Sequence, residues 1–365
     1  MAEKHLVIAA GGTGGHLFPA AAFSEAMRGR GWRVTLVTDA RGRRYAANFP
    51  ADAVEDVPAA TIQGRNPIKA LAALLTIRRG LAAARRRLRT LDPALVAGFG
   101  GYPSLPALWS ARALKVPILI HEQNSVLGRV NRMFAGDAAV VASGFPRLER
   151  LAPRAAGRHQ VVGNPVRPPI VAARAEAYPL APAGGRLNLL VIGGSQGARV
   201  FGTVIPEAIL ALDPALRRRL RVVQQVREEQ VAEVRALYAR AQVEAEVAPF
   251  FQRIAEHLAG AHLVIARAGA STVTELLAVG RPAILVPLAI ATDDHQTGNA
   301  AAMVEIGAAD LLAERDFSAV RLAALLTERL GDPHQLAVRA AAAHAAGRVD
   351  AADVLANVAE RIARA

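Results

Sequence analysis
His5-Leu6-Val7-Ile8-Ala9-Ala10, followed at once by Gly11-Gly12-Thr13-Gly14-Gly15-His16, decides the fold. An apolar run this short, closed by glycines, reads as a buried strand rather than a helix. The glycines permit positive φ and bring backbone N–H groups close to a ligand. Residues 19–30 then read as a helix, and a helix N-terminus favours negative charge. Strand, glycine turn and helix together open a doubly wound α/β sheet, with a phosphate cradle or a plain tight turn at the corner. The second half repeats the order: Leu187-Asn188-Leu189-Leu190-Val191-Ile192, then Gly193-Gly194-Ser195-Gln196-Gly197-Ala198.

Outward from these turns, short apolar runs alternate with helical stretches. In the first half they fall at 32–38, 95–97, 117–120 and 138–142, and in the second at 222–223, 263–266 and 283–286. Alternation of this kind implies parallel pairing with right-handed crossovers. Between the halves lies Gly163-Asn164-Pro165-Val166-Arg167-Pro168-Pro169, a Pro-dense stretch that cannot continue a central strand. The boundary is placed there, giving domains 1–163 and 164–345, as a chain of 365 residues leads one to expect. Ligands of such sheets bind at the strands' C-terminal ends, so two sheets in tandem are expected to face a central cleft. A last helix spans about 350–365, with Asp350 as N-cap and Val354, Leu355, Val358 and Ile362 at helical spacing.

Composition narrows the function. The chain has no cysteine, which removes disulfides, thiolate metal sites and cysteine nucleophiles. Its 44 Lys and Arg against 31 Asp and Glu leave a net charge of +13, which suits an anionic partner. Aromatics are only 4% and interleave with no basic stretch, so nucleic acid is not the expected partner. No uncharged apolar segment reaches membrane-spanning length, and residues 6–10 are too short for a signal segment. A soluble cytoplasmic protein is expected. The stretch 67–89 is helical, with Ile68, Leu71, Leu74, Leu75 and Leu81 among Lys69, Arg78, Arg79, Arg85, Arg86, Arg87 and Arg89. It suits either a surface of anionic lipid or core packing with a solvated Arg face.

Neither glycine turn carries the Lys-Ser/Thr ending of a P-loop. A dinucleotide fingerprint from Gly12 meets Leu17 where glycine is required, although Asp39 after the second strand keeps that reading open. Two loops suit two phosphorylated substrates. His16, at a helix start, is a candidate general base held neutral, or a structural His bonded to backbone. Arg267-Ala268-Gly269-Ala270-Ser271-Thr272-Val273-Thr274-Glu275 forms a second corner. There Ser271 or Thr272 could cap the helix and meet a phosphate, and Glu275 could accept both ribose hydroxyls. Asp293 and Asp294 are adjacent, no D-x-D occurs, and no cluster has metal-ligand spacing, so metal-free chemistry without a cofactor is expected. His121-Glu122-Gln123-Asn124 follows a strand, and four polar side chains there suit a cleft, or a loop rim whose groups bond to backbone.

With these motifs in place, the sequence resembles the UDP-N-acetylglucosamine:N-acetylmuramyl-(pentapeptide) pyrophosphoryl-undecaprenol N-acetylglucosamine transferases, the MurG family. The motifs run nearly end to end: GGTGGHLFPA from Gly11, GFGGYPSLP from Gly98, HEQN from His121, GNPVR from Gly163, GGSQGA from Gly193, RAGASTVTE from Arg267 and DDHQTGNA from Asp293. The resemblance implies a GT-B fold of two Rossmann-like domains, with the C-terminal helix returning to the first. It implies donor binding mainly by the second domain, with Ser195 and the turn of Ala270, Ser271, Thr272, Val273, Thr274 and Glu275 at the diphosphate and ribose. It places Phe251 by the uracil, Gln296 by the sugar, and Thr13, Gly14, Gly15, Asn124 and Arg167 at further donor-contacting positions. The reaction implied is inverting transfer of GlcNAc from UDP-GlcNAc to the C4 hydroxyl of lipid I. His16 is the first choice of base and Glu122 the second. The partners implied are UDP-GlcNAc, lipid I, the anionic inner-membrane surface at its cytoplasmic face, and cell-wall synthesis or division proteins. Another GT-B enzyme using UDP-GlcNAc, a glycolipid synthase or an epimerase, is the alternative, and a non-catalytic scaffold is a further one. The chain departs from the family at Gln224-Gln225-Val226-Arg227 and at Gln252-Arg253, which touches the nucleobase contacts.

Overall fold
The computed structural model describes residues 4–11, 14–43, 46–57, 67–181, 184–194 and 197–364, and within them not the side chains of 41, 67–77 and 292. The chain forms two compact units, one of 1–167 with 349–365 and one of 168–348. In the first unit the strands are β1 His5–Ala9, β2 Arg33–Thr38, β3 Ala53–Asp56, β4 Leu95–Gly98, β5 Ile118–Glu122, β6 Val140–Ser143 and β7 His159–Val161. They pair in parallel in the order β3-β2-β1-β4-β5-β6-β7. In the second the strands are β8 Leu187–Ile192, β9 Leu220–Gln225, β10 Glu244–Ala248, β11 Leu263–Ala266, β12 Ala283–Leu285 and β13 Ala309–Leu311. Their order is β10-β9-β8-β11-β12-β13, again all parallel.

β1 shows why its sequence is an unbroken apolar run. Side chains alternate between the faces of a strand, and a parallel sheet is covered on both. Leu6 and Ile8 enter the core on one face, with Leu17, Phe23 and Met27 of the helix Gly14–Gly29. Val7 and Ala9 enter the core on the other, with Leu108 and Phe134. The first face is completed by the helix Ala351–Ile362, whose Leu355, Ala356, Val358 and Ala359 are buried in the same cluster. Asp350 does occupy that helix's N-cap position, but its side chain accepts no capping hydrogen bond.

Two expectations change. The first helix begins at Gly14, within the glycine turn, and Pro19 lies inside it rather than at its start. Four strands, β3, β7, β10 and β13, have no counterpart among the apolar runs read from the sequence, and all four are sheet edges. An edge strand is covered less completely, and the burial along these four is broken by partly or fully exposed positions. The stretch 67–89 is helical, within the helix Pro67–Leu91, but the side chains of Ile68, Lys69, Leu71, Leu74 and Leu75 lie outside the described residues.

Candidate active site
In the first unit three loops at the C-terminal ends of parallel strands come together. Residues 12 and 13, Thr13 among them, lie outside the described residues; Gly14, Gly15 and His16 form the first turn of the helix Gly14–Gly29. His16 is half-buried and lies against the loop after β4. There Gly100, at φ +89°, approaches so closely that a Cβ would meet the imidazole Cδ2 at 3.3 Å and Nε2 at 3.4 Å. Only glycine takes that backbone conformation without strain and leaves room for the ring. The Arg167 guanidinium stacks over the Phe18 ring at 4.7 Å, one turn along from Gly14.

The polar quartet at the end of β5 is a network rather than a row of free groups. His121 is fully buried; its Nε2 is 3.0 Å from the Gly163 carbonyl and its Nδ1 3.0 Å from Gln123 Nε2. Burial pushes its pKa down to about 4, against a smaller upward pull from the Gly163 bond, so the ring is neutral. It donates to Gly163 and accepts from Gln123. Glu122, 2% exposed, accepts four hydrogen bonds. The Asn124 backbone and side-chain nitrogens donate to Oε1 at 3.1 Å each, and Gly128 N and Asn131 Nδ2 donate to Oε2 at 2.8 Å each. A carboxyl group so saturated with donors is an organiser of the loop. It orients Asn124 and fixes Gly128, the N-cap of the helix Arg129–Phe134.

In the second unit the glycine turn after β8 closes on itself. A Cβ on Gly193 would lie 2.4 Å from Ala198 N, so any larger residue would force the turn open. Gly193 N donates to Gln225 Oε1 at 3.2 Å, and Gln225 Nε2 donates to the Pro249 carbonyl at 3.1 Å. Gln224 donates to the Phe201 carbonyl at 2.9 Å and accepts from the Tyr238 hydroxyl. The departure at Gln224-Gln225 therefore falls on two buried structural side chains. Ser195 and Gln196 lie outside the described residues.

The second corner is a helix N-terminus, where negative charge is favoured. The helix Ala270–Val279 has Gly269 as its N-cap, and no side chain caps it. Ser271 and Thr272 sit inside the first turn, which corrects the expectation that one of them caps the helix. The Ser271 Oγ is buried and meets no partner among the described residues. Ala270 is buried, so what it can offer a ligand is its backbone N–H, whereas the Val273 N–H already donates to the Gly269 carbonyl at 3.0 Å. Thr274 and Glu275 follow on the same helix, both partly buried. Asn299 Nδ2 donates to the Ala268 carbonyl at 3.1 Å and steadies the corner from the helix His295–Val304. On that helix's first turn, Gln296 Oε1 accepts from Leu288 N at 2.9 Å, which leaves its amide hydrogens as donors. Phe251 is half-buried, its ring edge-on to His257 at 5.0 Å.

Two buried arginines of this unit are committed to other protein groups. Arg267 makes a bidentate pair with Glu314, at 3.1 and 3.2 Å, and donates to the Val286 carbonyl at 3.1 Å. Burial alone would raise the Glu314 carboxyl, but the Ala289 N–H and Arg267 outweigh it and hold the group below its ordinary value. Arg281, 1% exposed, was not singled out by sequence reasoning. It donates to the Leu258 and Ala259 carbonyls of one helix end and to the Val279 and Gly280 carbonyls of another, between 2.6 and 3.1 Å. Asn131 was also missed: it follows the quartet by several residues, and a lone polar residue in a helical stretch gives no periodic signal.

Comparison with known proteins is consistent along both units. The glycosyltransferase family 28 N-terminal domain matches residues 6–143, and the family's C-terminal domain matches residues 188–355. The UDP-N-acetylglucosamine–N-acetylmuramyl-(pentapeptide) pyrophosphoryl-undecaprenol N-acetylglucosamine transferase of Maricaulis maris (strain MCS10) is 52% identical over 98% of this chain and 97% of its own. The enzyme of the same name from Caulobacter vibrioides (strain NA1000 / CB15N) is 48% identical over 99% of this chain and 100% of its own. Among solved structures, Acinetobacter baumannii MurG superposes with a TM-score of 0.79 at 31% identity, over 98% of this chain and 99% of that chain.

Proposed function
This chain belongs to the UDP-N-acetylglucosamine–N-acetylmuramyl-(pentapeptide) pyrophosphoryl-undecaprenol N-acetylglucosamine transferases, of glycosyltransferase family 28 and GT-B fold, and from that premise we propose how its own residues carry the reaction. It is a UDP-GlcNAc-dependent hexosyltransferase of peptidoglycan synthesis that converts lipid I to lipid II. The observation that carries this is identity of about half over nearly the whole chain. In the transfer, the acceptor's C4 oxygen attacks C1 of GlcNAc, the C1–oxygen bond to the diphosphate breaks, and UDP leaves with the electron pair. In our reading His16 takes the hydroxyl proton. Glu122 is assigned a positioning role instead of the second-choice base, because its carboxylate is buried and already accepts four hydrogen bonds.

The donor's diphosphate is assigned to the N-terminus of the helix Ala270–Val279. There backbone N–H groups from Ala270 to Thr272 and the Ser271 hydroxyl meet negative charge that grows as UDP leaves, while Val273 closes the first turn on the Gly269 carbonyl. Glu275 is assigned to the ribose hydroxyls, Gln296 to the sugar through its amide hydrogens, and Phe251 to the uracil face. Thr13 and Ser195 keep the roles the resemblance implies, as do Gly14, Gly15, Asn124 and Arg167. A transfer assay with UDP-GlcNAc and a lipid I analogue tests the reading. Lipid II and UDP should form in equal amounts and only with acceptor present, with or without EDTA. UDP-GlcNAc consumption without acceptor would point to an epimerase, and loss of activity in EDTA would refute metal-free chemistry.

The lipid acceptor requires the enzyme at the membrane, and among the described residues no helix is long and apolar enough to cross one. We assign docking to one face of the first unit. Trp109 on the helix Ser104–Ala113 and Met133 on the helix Arg129–Phe134 are 45% and 48% exposed. Arg112 and Arg129 are exposed on the same two helices, and Arg78 and Arg79 on the helix Pro67–Leu91, which packs against the first of them. Trp109→Glu with Met133→Glu should abolish co-sedimentation with anionic vesicles while sparing transfer to a short-chain soluble acceptor. Unchanged sedimentation would sink this assignment.

A further inference from the structure
Asn131 has an uneven hydrogen-bond inventory. It is 1% exposed, and its Nδ2 is committed to one side, 2.8 Å from Glu122 Oε2 and 3.5 Å from the His121 carbonyl. Both neighbours are acceptors only, so the amide can point its nitrogen nowhere else. Its Oδ1 is buried, and no donor among the described residues reaches it. A buried acceptor left unmet is costly, and such an atom calls for an account.

The account lies beside it. A Cβ built on Gly100 would stand 3.4 Å from Asn131 Nδ2 and 3.4 Å from His16 Nε2. The amide and the imidazole thus flank the same glycine. Behind the amide is the buried Glu122 carboxylate, so carboxylate, amide and ring form a sequence in the order Glu122, Asn131, His16. Arg167 stacks on Phe18, two residues along the chain from His16, and His121 is neutral. On the helices packed together here, Arg30, Asp353 and Glu360 pair with one another at the far end of the helix Gly14–Gly29.

We propose that Asn131 is a positioning residue for His16: locked by Glu122, its amide holds Oδ1 ready to accept an N–H of the imidazolium that forms when His16 takes the acceptor's proton. The inference rests on His16 being the base. In the transfer the hydroxyl proton moves to the ring, the new bond forms at C1, and the diphosphate carries away the electron pair. An acceptor dipole backed by a carboxylate stabilises the protonated ring over the neutral one, so it acts only as the proton moves.

A double-mutant cycle on the full-length enzyme, read as single-turnover transfer rate against pH, tests this. Asn131→Ala should slow transfer about tenfold. It should move the acid limb of the profile to lower pH by about half a unit, because the protonated ring has lost its acceptor. Donor KM should hardly change. In a His16→Ala background, Asn131→Ala should add nothing. Asn131→Asp keeps an acceptor oxygen and can share a proton with Glu122, so it should recover most of the rate with its acid limb at or above the wild-type position; it carries the test if the alanine variant does not fold. An equal loss in both backgrounds, or an unmoved acid limb, would overturn the inference while leaving His16 as base. A wild-type rate for His16→Ala would overturn both.

Discussion
Ser271 and His121 show how differently two buried polar residues serve one enzyme. The Ser271 hydroxyl is unmet among the described residues and sits on an uncapped helix turn, so its partner is expected to be the donor. Ser271→Ala should weaken UDP binding several-fold, about 1 kcal/mol, measured by calorimetry, with thermal stability unchanged. Equal affinity would remove Ser271 from the site. His121, in contrast, is wholly satisfied and works for the fold. Held neutral down to about pH 4, it loses to an unfolded imidazole that protonates below its ordinary 6.5. Its contribution is therefore complete above pH 6.5 and drains away as pH falls towards 4, on the order of 3 kcal/mol in all. Urea unfolding at pH 7.5 and 5.0 should show a smaller pH difference in His121→Gln than in the wild type. The quartet 121–124 is legible in the sequence as polar groups at a strand end. What each does is not, because the deciding partners, Gly163, Gly128 and Asn131, are brought in by folding.

Among elements, inner strands announce themselves and outer ones do not. β1 and β8 need apolar side chains on both faces, so residues 6–9 and 189–192 are unbroken apolar runs. β7 and β13 need only a partner on one side, and their short mixed sequences carry no such mark. Helix ends are equally quiet. Arg281 joins two of them, its guanidinium meeting carbonyls at the C-termini of the helices Ile254–Gly260 and Ala270–Val279, where a cation is favoured. Burial pushes its pKa down to about 10, with Tyr178 pulling the other way, so it stays charged at neutral pH. Arg281→Met keeps much of the volume but strands those carbonyls. It should destabilise the second unit by about 3 kcal/mol or more in denaturant unfolding. Because the other end of the second helix is where we assign the donor's diphosphate, UDP affinity should fall as well. Wild-type stability would show that the carbonyls find other donors.

On the scale of the molecule, each unit repeats one plan, a parallel sheet led by a strand, a glycine turn and a helix. That plan is legible because it is written twice in the sequence. The first unit differs in borrowing its last helix from the far end of the chain. The buried side chains of Leu355, Ala356 and Val358 meet the helix Gly14–Gly29 in one core, and Arg30 pairs with Asp353 and Glu360 at 3.1 and 2.9 Å at its rim. The rim pairs are exposed and contribute little; each fully buried apolar side chain contributes about 1.5–3 kcal/mol. Truncation after Arg348 should leave residues 168–348 resistant to limited proteolysis and open the first unit to cleavage. Mass spectrometry of the fragments decides it, and equal resistance of both units would show that the helix is dispensable.

The same helix sets a timetable for synthesis. The face of the first sheet that carries Leu17, Phe23 and Met27 waits for residues 351–362 to leave the ribosome, after the whole second unit has emerged. Nascent chains generally fold domain by domain from the N-terminus, but this one must keep its leading unit unfinished while the trailing one closes. A chain that stalls partway therefore presents an uncovered apolar face to chaperones and proteases. Completion of translation and completion of the first unit become a single event.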